Sequence, residues 1–259
     1  MALGIPKTGI GFVLLLSLLA SLCGIAAAQG NDHSADDGQQ AARAWEALIR
    51  AKGGREKLQS IRNYVMTRPL ETALEVFPCS HWLFGYHIDL SKRLEVYDND
   101  KKQLTLAGVH GTEKVLNENW ETGEGCWYDQ VPLFLETKWY RPIPLRVTRE
   151  KVDKKISDVL EVRIGDLNLA YVYEPEEMLV REVRFISGGV MLQKYRFDKY
   201  VDVDGIKMPS LWGIGISASK FAEINNLTPV TFEFNVAYDP KIFKPPFVAT
   251  TPDAWKINR

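Results

Sequence analysis

The chain has 259 residues, with 32 basic and 33 acidic side chains and a formal net charge of −1. That near-neutral balance offers no basic field to a nucleic acid. The length suits one sizeable core and is marginal for two domains.

Residues 1–28 read as a cleavable signal peptide. Lys7 lies in the start, an apolar run extends from Ile10 to Leu22, and Ala26-Ala27-Ala28 forms a small-residue exit. Gln29 to Gly38 is polar and acidic, a charge flip that favours export of the rest of the chain. Two alternatives stay open on the same residues. Ile10 to Ala28 is just long enough to anchor in a bilayer. Cys23 is a lipidation candidate, although Leu22 before it is bulky where such signals take a small residue. No later stretch approaches spanning length, so the exported product is expected to be soluble. Residues 29–38 are expected to be a disordered lead and 39–259 a single domain.

Ala41, Ala44, Trp45, Leu48, Ile49 and Ala51 recur at helical spacing, which predicts a helix from about Gln39 to Lys52. Gly53-Gly54 stops it, because glycine accepts the left-handed backbone of a helix end without a Cβ clash. A short helical turn, Arg55 to Ser60, follows. Beyond residue 61 the period becomes two, clearest where Val230, Phe232, Phe234, Val236 and Tyr238 alternate with mostly polar neighbours. Strands are predicted at 62–67, 73–77, 82–89, 92–97, 103–109, 113–120, 159–164, 169–174, 178–186 and 190–201. Turn signals such as Asp98-Asn99-Asp100, Ser187-Gly188-Gly189 and Asp204-Gly205 separate them. The spacing leaves no room for crossover helices, so the sheet should be antiparallel. The expected fold class is α+β: one large curved antiparallel sheet, or half-open barrel, with an N-terminal helix. Glu121 to Thr148, rich in proline, glycine and aromatics, reads as a long ordered loop.

With Cys23 in the leader, Cys79 and Cys126 remain as a candidate disulfide in an oxidising compartment. Cys79, His81 and His87 fall on one face of a regular strand, but His87 would stand about 20 Å from His81, too far to share an ion; no metal site is assigned. There is no G-x-S-x-G, H-E-x-x-H or phosphate loop, and His81, His87 and His110 sit beside no nucleophile. The chain is therefore read as a non-enzyme without a cofactor. Acidic clusters fall at turns, where they solvate and cap the backbone. Seven Trp, ten Tyr and eleven Phe stand out. One helix covers only part of a large sheet, so the concave face is expected to enclose an apolar cavity lined by Trp82, Phe84, Trp120, Trp127, Trp139 and Trp212. Core filling is the competing role for each.

Three segments carry a family likeness: Ala44 to Ile61, with Gly53-Gly54 ending its helix; Arg196 to Pro209, with Asp204-Gly205-Ile206-Lys207-Met208-Pro209 at its end; and Thr231 to Pro240, closing with Ile242-Phe243-Lys244-Pro245-Pro246. Together they resemble exported bacterial proteins of the outer-membrane lipoprotein-sorting (LolA/LolB-like) superfamily, in its poorly characterised branch. The resemblance implies a half-open barrel whose mouth is plugged by helices and which holds the acyl chains of a lipoprotein or another lipid. The chain then reads as a periplasmic binding or carrier protein for a lipid, an acylated protein or another amphipathic ligand. The alternatives are an envelope protein–protein interaction module, whose aromatic loop docks a partner, and an envelope hydrolase.

Overall fold

A computed structural model describes residues 30–77, 81–86, 93–98, 103–108, 113–116, 130–165, 167–187, 189–216, 224 and 226–244. A long helix, Gly30–Lys52, begins before the expected Gln39 and takes in most of the lead segment. Its buried face is Ala41, Trp45, Leu48 and Ile49, spaced four, three and one apart as one helical stripe. Gly54 N donates to Ile49 O at 2.9 Å and closes the helix. Gly53 has φ +137°, a conformation that favours glycine. The short helix Arg55–Ser60 follows and buries Leu58.

The remainder is antiparallel sheet. In chain order the strands are β1 Asn63–Arg68, β2 Glu71–Val76, β3 His81–Tyr86, β4 Arg93–Asp98, β5 Gln103–Gly108, β6 Glu113–Leu116, β7 Ile143–Val152, β8 Lys155–Ile164, β9 Leu167–Glu174, β10 Leu179–Ser187, β11 Val190–Val203, β12 Ile206–Ile216, β13 Thr228–Pro229 and β14 Thr231–Phe234. One seven-stranded sheet has the order β14-β1-β2-β3-β4-β5-β6, the other β13-β12-β11-β10-β9-β8-β7. The two meet in a single extended stretch. Its first part pairs with β12 and its second with β1, and Val230 N between them donates to Ser210 O at 3.0 Å. Among the described residues β6 and β7 do not pair, so the wrap is open. This is the α+β class expected, with the long helix lying against β7, β8, β10 and β12.

Two further differences from the sequence reading have a local cause. The irregular middle is shorter than Glu121 to Thr148, because residues 130–134 are helical and 143–152 form β7. Pro144 does not end that strand. β7 is the last strand of its sheet, so a missing N–H can face the unpaired edge, and the register shifts by a bulge between Pro144 and Arg146. The terminal strand stops at Phe234 instead of running on to Tyr238, because Asn235 adopts φ +51°. Asparagine tolerates that region, and its side chain accepts Arg62 N at 2.8 Å.

One core cluster joins the helix, the segment 131–140 and the inner faces of both sheets. The outer face of the second sheet carries ion pairs instead. Arg184 bonds Glu150 and Glu182, and Arg146 bonds Glu161.

Candidate ligand-binding site

The inner face of the wrap is covered by side chains of the long helix and of the segment 130–140. Alternation on β1 and β14 sends Tyr64, Phe232 and Phe234 inward, where they meet the segment that begins at residue 130. Phe134 lies 5.0 Å from Tyr64, 5.4 Å from Phe77 and 5.9 Å from Phe234, ring centre to ring centre. Trp139 stacks on Phe77 at 5.4 Å and 3° between planes. Tilted and edge-on pairs of this kind add to the burial of their area. On the helix side, Trp45 meets Tyr171 edge-on at 5.5 Å, and the Tyr171 hydroxyl donates to Val131 O at 3.2 Å. The helix and the segment 130–140 are thus two halves of one plug over an aromatic floor.

A polar knot ties the halves together. Glu136, 3% exposed, accepts from Arg55 Nε at 2.8 Å, Arg55 Nη2 at 3.2 Å, Gln59 Nε2 at 3.2 Å and Trp45 Nε1 at 3.4 Å. Arg55 also grips Glu46 through two bonds, at 3.0 and 2.7 Å. The hydrogen bonds to Glu46 and Glu136 hold Arg55 firmly protonated, and the Arg55 bond draws the Glu46 carboxyl below its usual range. Forked, charge-assisted pairs fix orientation as well as proximity. Leu135, next to Glu136, has φ +60°, a strained backbone for a non-glycine residue.

Lys52 lies beside the knot, in the helix's last turn. It is 5% exposed, and its Nζ is 5.3 Å from the ring centre of Tyr200. It lines a cavity of about 10 Å³ with Leu48, Pro132, Leu135, Met178, Val180 and Tyr200. Burial lowers the lysine pKa to about 7 and raises that of Tyr200. Unbroken alternation from Tyr195 and Phe197 would turn Tyr200 away from the core. Lys199 has φ +51° and stands between the ladder pairs Asp198↔Leu211 and Tyr200↔Pro209. With the strand kinked there, Tyr200 packs against the core.

The six aromatics expected to line a cavity have separate fates. Trp212 is fully buried core, edge-on to Tyr195 at 5.6 Å and beneath the Arg68 guanidinium at 4.8 Å. Trp139 is half-buried at the plug's rim, with Lys138 Nζ 5.4 Å from its ring. Trp82 and Phe84 are on β3, paired with Glu75 and Ala73 of β2. Trp120 and Trp127 lie outside the described residues, as do Cys79 and Cys126 of the candidate disulfide. His81 begins β3, and His87 and His110 lie outside the described residues. Where the described residues fill the concave face, they do so with Phe134, Phe77, Trp45 and Tyr171. The sequence reading missed Lys52, Arg55 and Glu136 as a set, because Arg55 and Glu136 stand 81 residues apart in the chain. A larger groove of about 280 Å³ lies on the sheet's other face, among Asp153, Glu174, Arg181, Glu182, Arg196 and Asp198. Its arginines are all ion-paired, so it is a solvated, neutralised surface. Among the described residues no group of His, Cys, Asp and Glu is placed to hold a metal ion, and no helix is long and apolar enough to cross a membrane.

An open antiparallel sheet wrapped around an apolar interior, with a helix against it, is the fold to which this chain is similar. Three solved structures illustrate it. A DUF1329 family protein from Desulfovibrio piger has 10% identity and TM-score 0.46, covering 79% of this chain and 97% of that one. A putative outer membrane lipoprotein-sorting protein domain from Vibrio parahaemolyticus has 13% identity and TM-score 0.45, with the same coverages of 79% and 97%. A LolA superfamily protein from Nitrosomonas europaea has 13% identity and TM-score 0.44, covering 75% and 97%. No family model and no curated protein sequence matches the chain.

Proposed function

We propose that this protein is an exported, non-enzymatic carrier that binds a lipid, a lipoprotein acyl chain or another amphipathic ligand. The observation that carries the reading is the closure of the wrap. An aromatic interior is sealed by a helix and an irregular segment, held through the Glu136 knot, and not by backbone pairing. Such a seal can lift without breaking a strand ladder, and it would expose Tyr64, Phe77, Phe134 and Trp139 to an acyl chain. Each methylene buried there contributes roughly 0.8 kcal/mol, so no covalent chemistry is needed for retention. The likeness of the helix-Gly-Gly, Asp-Gly-Ile-Lys-Met-Pro and terminal segments to lipoprotein-sorting proteins supports the same reading. Titration with a lysolipid, followed by tryptophan fluorescence, tests it. Saturable quenching is expected; a flat titration, with no lipid in organic extracts of the purified protein, would refute the carrier role.

A further inference from the structure

We infer that Lys52 is the head-group anchor of the site and selects an anionic, single-carboxylate acyl ligand of the fatty-acid class. The inference rests on the carrier reading above and adds the chemistry of the ligand's polar end. Lys52 is more than nine-tenths buried and lines a cavity whose other walls are apolar apart from the Tyr200 hydroxyl. That hydroxyl is already committed to Val180 O at 2.5 Å. Among the described residues Lys52 has the Tyr200 ring as its aromatic contact, and no carboxylate forms an ion pair with it. Arg55, a turn away, holds two carboxylates, so acids were available at this edge of the plug and none is given to Lys52.

Burial disfavours the charge on Lys52, and a ligand anion offsets that by completing a charge-assisted hydrogen bond to its ammonium. The walls formed by Leu48, Pro132, Leu135 and Met178 suit the first methylenes behind such a head group. The cavity has room for about one water-sized group when closed. That favours a compact carboxylate over a glycerophosphate.

The test is binding of palmitate and of neutral monopalmitoylglycerol to the full exported protein and to Lys52→Met, each shown by urea unfolding to be folded. The wild type should prefer palmitate by about 10-fold or more, and Lys52→Met should lose roughly 10- to 100-fold in palmitate affinity with little change for the glyceride. The wild-type preference stands as a check that needs no variant. Equal affinities in the wild type, or equal losses for both lipids in the variant, would overturn the role of Lys52 and leave the carrier reading intact. If neither lipid binds the wild type, both fail.

Discussion

Gly53 sits against Gly205 so closely that a Cβ on Gly53 would come within 2.5 Å of the Gly205 carbonyl oxygen. The helix end therefore docks on the Asp204-Gly205 hairpin turn between β11 and β12, where Asp204 and Gly205 have φ +52° and +80°. Gly53→Ala would meet both a backbone clash and an unfavourable φ, and should cost about 2–4 kcal/mol in urea unfolding. Gly54→Ala, with open space around it, should cost less.

A second clamp joins the start of β1 to the chain just after β14. Asn63 Oδ1 accepts Val236 N at 2.8 Å, and Asn63 O accepts Asn235 N at 2.9 Å. Asn63→Ala leaves the half-buried Val236 amide without its acceptor, which predicts a loss of about 1–2 kcal/mol by the same measurement.

These clamps explain what was legible in the residues. Two of the segments that carry the family likeness touch, the Gly-Gly end meeting the Asp-Gly turn, and the terminal strand lies on β1. Period-two alternation marked most strands because one face is apolar. It could not show that Asn235 ends the last strand early or that Pro144 lies in an edge strand, since both depend on the backbone and on neighbours distant in sequence. The Lys52 site was illegible for the same reason. It needs a kink at Lys199 to bring Tyr200 to the core and a segment far along the chain to roof it.

Lys52 should also leave a signature in stability. Its pKa falls from an ordinary 10.5 to about 7 in the folded chain, so between those values the unfolded chain binds the extra proton. Stability should therefore rise with pH from about 7 toward 10.5, and the rise should shrink in Lys52→Met. Comparing the two chains by urea unfolding below pH 10.0, where buried tyrosines such as Tyr171 remain protonated, isolates the effect.

The tryptophans should separate into core and rim. Trp212→Ala empties a fully buried site and should cost about 3–5 kcal/mol. Trp139→Ala removes a half-buried ring from the rim; it should cost less stability and weaken lysolipid binding more. Unfolding curves and fluorescence titrations on the two variants give both numbers.

The Glu136 knot should govern access to the interior. Glu136→Gln weakens the charge-assisted bonds to Arg55 and should lower stability by about 1–3 kcal/mol. It should also speed lipid association, measured by stopped-flow quenching, because the plug lifts more readily.

Intact mass under native conditions, compared with the mass after organic extraction, addresses the carrier role most directly. Protein purified from its exporting host should lose a discrete mass equal to one acyl lipid on extraction, and the stripped protein should regain it on addition of palmitate. Identical masses before and after extraction, together with no uptake of palmitate, would contradict it.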